Sequence, residues 1–171
     1  MAEAEALGEP NGTRAGFSRW YWAAHRVMAD GWKTCSARRT ARAFSTGEER
    51  RAFLYFFSHV PAAAVSRGVG AYHSAEIPYV FGNVATSAAA AEDERLLSVK
   101  MMSMWSEFAS SGFGDAGAHG VWPRYQNATD ELLRFDVGNL QVEARFRSAF
   151  CDAWDALLWW WWESHGPPPR R

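Results

Sequence analysis

The sequence predicts an α/β chain in which amphipathic helices pack on a small, mainly parallel sheet, and three stretches carry that expectation. Residues 53–59, Phe-Leu-Tyr-Phe-Phe-Ser-His, form a continuous apolar run closed by Pro61, the pattern of a strand buried on both faces. Leu97, Met101, Met104, Trp105 and Phe108 share one helical stripe, as core-facing helix residues do. Val142, Phe146, Phe150, Trp154, Leu157 and Trp161 recur at helical intervals and mark a last amphipathic helix. It stops before Gly166 and three prolines, which cannot continue a helix.

Composition narrows the class. The 171 residues are 48% hydrophobic, with 18 Lys and Arg against 19 Asp and Glu and a net charge of -1. That apolar fraction supports one packed domain or part of one. The near-neutral balance argues against a dedicated nucleic-acid binder, which would be clearly basic. No stretch reaches the roughly 18 consecutive apolar residues that span a bilayer. Residues 1–14 read as a disordered leader, acidic and Ala/Gly-rich without the layout of a signal peptide; residues 163–171 read as a disordered Pro/Arg-rich tail. Residues 15–162 are the folded part, and Met1 is expected to be an internal start or the start of a truncated product.

Along the chain, residues 17–44 are helical with a break at Asp30-Gly31, a helix end followed by a new start. Arg38, Arg39 and Arg42 lie at helical spacing and read as a solvated face. Residues 62–82 have no sustained period and read as a long structured loop, a setting in which function is common. Residues 85–91 are expected to be a surface connection, and residues 112–120 a glycine-rich turn region. The latter lacks the strand-loop-helix setting that holds phosphates, so no nucleotide role and no cofactor are expected. Residues 131–136 read as a short strand. The cluster Trp159 to Trp162 reads by default as a neutral extension, with packing on the body or contact with a membrane surface as alternatives.

The stretch Gly70-Ala-Tyr-His-Ser-Ala-Glu-Ile-Pro-Tyr-Val-Phe-Gly82 closely resembles the catalytic-histidine segment of the cholinesterase and type-B carboxylesterase family. Three further blocks agree in order: the strand at residues 53–59, the helix around Trp105, Phe108 and Ala109 with Trp122-Pro-Arg-Tyr125 after it, and Phe150-Cys-Asp-Ala-Trp-Asp155 in the closing helix. The resemblance spans about residues 21–158. It implies the C-terminal part of an α/β-hydrolase fold, with helices on one or two remaining sheet strands. It implies that His73 is the histidine of a Ser-His-acid triad and that Glu76 is a neighbouring carboxylate that helps to fix its loop. It also implies a Cys35–Cys151 disulfide, because the family bridges these two helices. Here Ser36 stands where the family usually has proline. Such a bridge belongs to an oxidising compartment, so the whole protein is expected in the secretory pathway or outside the cell. The sequons Asn11-Gly-Thr13 and Asn127-Ala-Thr129 are compatible with that route.

Ester hydrolysis by this route needs a serine hydroxyl whose proton passes to an imidazole and then to the leaving alcohol. An acidic residue orients the ring and backbone N–H groups hold the oxyanion. In α/β-hydrolases the chain order is serine, acid, histidine, so a piece that begins after the acid retains only the last. No G-x-S-x-G is present in these residues. The nearest approach, at residues 43–47, follows an arginine-rich helix, so Ser45 reads as a helix-end or turn residue. His59, at the end of the apolar run, reads as a hydrogen-bonded structural residue. His25, His119 and His165 show no convergent ligand spacing, so no metal is expected.

The leading expectation is therefore a part of a serine carboxylic-ester hydrolase, inactive alone, whose full-length substrates are small carboxylic esters. The alternatives are a non-catalytic cholinesterase-like protein used for binding or adhesion, or a truncated product with no function of its own.

Overall fold

The computed structural model describes residues 18–46, 51–67, 70–84, 91–111, 122–138 and 140–166. The expected leader, the turn region at 112–120, most of the 85–91 connection, the last five residues and the Asn11 sequon lie outside them.

The chain opens with helix α1 (Arg19–Ala29), capped by Ser18, whose Oγ accepts the Tyr21 N–H. It does not end at Asp30-Gly31 as its sequence suggests. A π-helical turn (Asp30–Thr34) carries it without interruption into α2 (Cys35–Phe44), with the Cys35 N–H donating to the Asp30 carbonyl five residues back. Tertiary contacts hold this widened turn. Buried Asp30 is ion-paired with Arg147, and Gly31 faces Trp154 so closely that a Cβ there would lie 2.9 Å from the indole.

Strand β1 (Tyr55–Phe57) follows. The expected loop over 62–82 contains two short helices, α3 (Ala62–Arg67) and α4 (Ile77–Val80). Helix α5 (Ala91–Ser111) is the predicted core helix, β2 (Glu131–Phe135) the predicted second strand. The predicted closing helix begins later than its apolar spacing suggests: Val142 belongs to a third strand, β3 (Gln141–Ala144), Phe146 lies in the turn after it, and helix α6 spans Ser148–His165. The apolar spacing ran through Val142 because a half-exposed strand and a helix can share an i, i+4 pair.

The sheet has the order β1-β2-β3, one strand more than expected. β1 and β2 are parallel, with Tyr55 opposite Leu133 and Phe57 opposite Phe135; β2 and β3 are antiparallel, with Leu133 opposite Val142. Central β2 buries residues of both its faces, Leu133 and Phe135 on one and Leu132 on the other. Leu133 and Phe135 pack with Leu97, Met101 and Met104 of α5 and with Trp122. Four rings interlock there: Tyr55 and Trp105 centroids are 5.1 Å apart, Trp105 and Trp122 4.8 Å, and Trp122 and Phe135 5.8 Å. Edge-on and tilted geometries of this kind add to the burial of large rings. The Trp122 indole N–H is satisfied by the Leu54 carbonyl at 3.0 Å.

Arg38 is not on a solvated face. It is 6% exposed, and its guanidinium donates to both carboxylate oxygens of buried Asp130 at 2.6–2.9 Å and to Asp152 of α6 at 2.9 Å. Arg39 and Arg42 pair with Asp155. Helical spacing alone could not separate an arginine facing solvent from one facing acids just before β2 and on α6. The expected Cys35–Cys151 disulfide is formed, between Cα atoms 5.0 Å apart. It joins α2 to α6 beside the arginine cluster and closes 116 residue steps.

Two outcomes follow from these constraints. Replacing Cys35 and Cys151 by alanine should lower the unfolding free energy by up to about 4 to 5 kcal/mol, through released loop entropy, in a denaturant titration. Asp130→Asn should destabilise by roughly 3 kcal/mol, because it leaves a buried guanidinium with one fewer counter-charge. Burial alone would raise the Asp130 carboxyl pKa, but Arg38 and the Tyr125 hydroxyl outweigh it and hold the pKa below the usual carboxylate range. A depressed folded pKa means that this stabilisation is complete above the unfolded value near 3.9. It should disappear as pH falls through the lower folded value, and Asp130→Asn should remove that part of the acid sensitivity.

Candidate active site

His73 lies in the turn at residues 73–76 that leads into α4, and its side chain is exposed. The turn is held from beneath rather than through the imidazole. Ala75 is buried and its N–H donates to the Tyr72 carbonyl at 3.0 Å, while Ser74 sits at φ 71°, the left-handed region that most side chains avoid. Four residues further, buried Tyr79 is anchored by its carbonyl, which accepts the Ser98 hydroxyl of α5 at 2.8 Å. The segment then leaves α4 at Gly82, φ +69°, where a Cβ would come 2.7 Å from the Met102 sulfur. The segment is therefore locked onto α5 at its base while His73 stays accessible at its top.

His73 and Glu76 line the same groove, about 700 Å³ in volume, between α2 and the β1 strand. Its walls are largely apolar, with Ala37 and Ala41 from α2, Phe56 and Leu132 from the sheet, and Phe146. Glu76 is half-buried and faces the Tyr55 phenol on β1; burial first, and then the Glu76 carboxylate, push that phenol's pKa up. Glu76 thus lies between the histidine turn and the sheet. Ser45 is far from such a role in its local structure: it caps the end of α2, its N–H and hydroxyl both donating to the Arg42 carbonyl.

His59 takes the structural role its position suggested. It is buried, with Nε2 2.9 Å from Glu94 Oε1 and Nδ1 3.6 Å from Asp136. Glu94 also accepts the Ala62 N–H at 2.9 Å. Burial opposes ionisation of Glu94, but the imidazole and the amide prevail and hold its pKa below the usual range. This carboxylate was not singled out in the sequence, where it looks like one of three acids in the first turn of a helix, Glu92, Asp93 and Glu94, favourable to the helix dipole. Its burial alone distinguishes it. Glu94 joins α5 to the chain leaving β1; burial raises the pKa of the Tyr79 hydroxyl, and the Glu94 charge adds to that rise.

The sequon residue Asn127 is exposed on a turn at 127–129, away from the groove lining. Among the described residues no three His, Cys, Asp or Glu side chains converge on a possible metal position, and no helix is long and apolar enough to cross a membrane.

The sequence matches the carboxylesterase family over residues 4–154. It is similar to Carboxylesterase 5A of Homo sapiens, 30% identical over 115 residues that cover 62% of this chain and 20% of that protein. Carboxylesterase 4A of Bos taurus is 36% identical over 87 residues, 50% of this chain and 16% of the relative. Acetylcholinesterase 1 of Caenorhabditis briggsae is 26% identical over 163 residues, 88% of this chain and 26% of the relative. The chain thus spans about a quarter or less of these relatives' length, and its helices and three-stranded sheet correspond to part of an α/β-hydrolase fold. With most of its length matched, the chain belongs to the carboxylesterase family.

Proposed function

We propose that this chain is the histidine-bearing part of a serine carboxylic-ester hydrolase, in which His73 is the general base and acid. The observation that carries the reading is the accessible imidazole of His73 on a turn locked from below, at an apolar groove open to a substrate. In the longer protein a serine hydroxyl loses its proton to His73 as it attacks the ester carbonyl. His73 then returns that proton to the departing alkoxide, and water repeats the cycle on the acyl-enzyme. An imidazole suits this exchange because its ordinary pKa lies near 6.5. Glu76 does not reach into the reaction; it holds the turn against Tyr55. The serine and the acidic triad residue come from outside these 171 residues, so the chain by itself is inactive.

Exposed apolar side chains support a larger whole. Trp32, Phe44, Phe81 and Trp159 are each at least 60% exposed, more large apolar surface than an isolated domain usually presents. The disulfide favours a secretory or extracellular route. A non-catalytic binding relative is the competing reading, and it would share the absent nucleophile; an accessible imidazole at a groove is unneeded by such a scaffold.

Two measurements test this. The 171-residue chain should neither hydrolyse short-chain p-nitrophenyl esters nor be labelled by a fluorophosphonate serine probe, and labelling would place a nucleophile within it. The transcript upstream of Met1 should encode G-x-S-x-G and then an acidic triad residue. In that longer protein His73→Ala should cut kcat by on the order of a million-fold, whereas Glu76→Gln should act mainly through stability of the turn. A transcript that starts at Met1, or full turnover in the His73 variant, would end the catalytic reading.

A further inference from the structure

The Asn127-Ala-Thr129 triplet has no part in the groove chemistry, and its placement in the fold is unusually well defined. Tyr125 and Asp130 are both buried, at 1% and 5% exposure. The Tyr125 N–H donates to the Ala52 carbonyl at 2.7 Å, which fixes it beside the strand β1. Its hydroxyl donates to Asp130 Oδ1 at 2.7 Å, and Asp130 is in turn clamped by Arg38. The Asp130 N–H closes the turn on the Gln126 carbonyl at 2.7 Å, with Asp130 itself at φ 52°. Two buried anchors stapled to each other leave the four residues between them only one direction, and Gln126, Asn127, Ala128 and Thr129 are all exposed.

We infer that Asn127 is an N-glycan acceptor, whose glycan the folded protein accommodates on this exposed, stapled turn. The triplet has the required amide, the required hydroxyl two residues on, and alanine rather than proline between them. The Cys35–Cys151 bridge points to the oxidising compartment in which such transfer takes place. In the step, the Asn127 amide nitrogen bonds to the anomeric carbon of an oligosaccharide carried on a lipid diphosphate. The anomeric carbon–oxygen bond breaks, the diphosphate leaves with the electron pair, and the amide gives up one proton. The donor and its transferase are supplied by the membrane of that compartment.

The glycan would stand over a small polar cleft of about 210 Å³ lined by Asn127, Ala128, Arg145 and Asp152 among others. That cleft shares no residue with the groove of His73, so the sugar leaves the substrate side open. The inference shares with the esterase reading only the secretory route, and it stands or falls independently of the missing serine.

The test is translation of the full chain, behind a cleavable secretion leader and with a control sequon in a C-terminal tag, into animal-cell microsomes. The wild-type chain should carry one glycan more than the Asn127→Gln or Thr129→Ala variants, and Thr129→Ser should restore it. Peptide-N-glycosidase applied without denaturation should convert Asn127 to aspartate, as expected of an acceptor on an exposed turn. Because transfer precedes folding, a variant that folds poorly still reports. A control sequon that is used while residue 127 stays unmodified would overturn the inference, as would an extra glycan lost in Asn11→Gln and retained in Asn127→Gln.

Discussion

The guanidinium of Arg38 is the point at which three distant segments are forced to agree. It sits on α2 and donates to Asp130 just before β2 and to Asp152 on α6. A charge that is 6% exposed is tolerable only when its donors are satisfied in good geometry. The pairing therefore fixes how α2, the sheet and α6 approach one another. The disulfide one turn earlier on α2 locks the same α2–α6 contact covalently, and the Asp30–Arg147 pair closes its far end. Between them these three links surround the π-helical turn, where Gly31 makes room for the Trp154 indole.

This frame and the aromatic core act on opposite faces of the sheet. On one face Leu133 and Phe135 press against α5, and α5 carries Ser98 and Met102, which contact the segment holding His73, and Glu94, which holds His59. On the other face Leu132, Phe56 and Phe146 stand across from α2 and leave the groove between them open. Position and access are thus provided by different layers. The histidine turn gains its rigidity from the packed side and its chemical opportunity from the unfilled side. Glu76 on the turn faces Tyr55, itself a member of the core ring cluster.

The carboxylates divide by environment in the same way. Asp130 and Glu94 are buried, and each remains ionised because a cation or N–H donors offset its loss of water. Glu92, on the same helical turn as Glu94, is exposed and pairs locally with Arg95 at 2.5 Å, a surface contact of small worth to stability. Residues of one type, close in sequence, therefore do unlike work.

Local residue patterns carry the strand at 55–57 (shorter than the 53–59 run, and half-buried), the core stripe of α5, the closing helix from Ser148 and its stop, and the motif around His73, since each depends on apolar periodicity or on a local run of residues. The motif's likeness to a family also carried the Cys35–Cys151 pairing. The features that folding alone settles share a cause: they depend on partners far along the chain. Arg38 reads as solvated until Asp130 and Asp152 fold beside it. The helix break at Asp30-Gly31 becomes a π turn because Arg147 and Trp154 hold it from more than a hundred residues away. Glu94 differs from its acidic neighbours only by facing His59. Such pairings have no local pattern, so no window of sequence could display them.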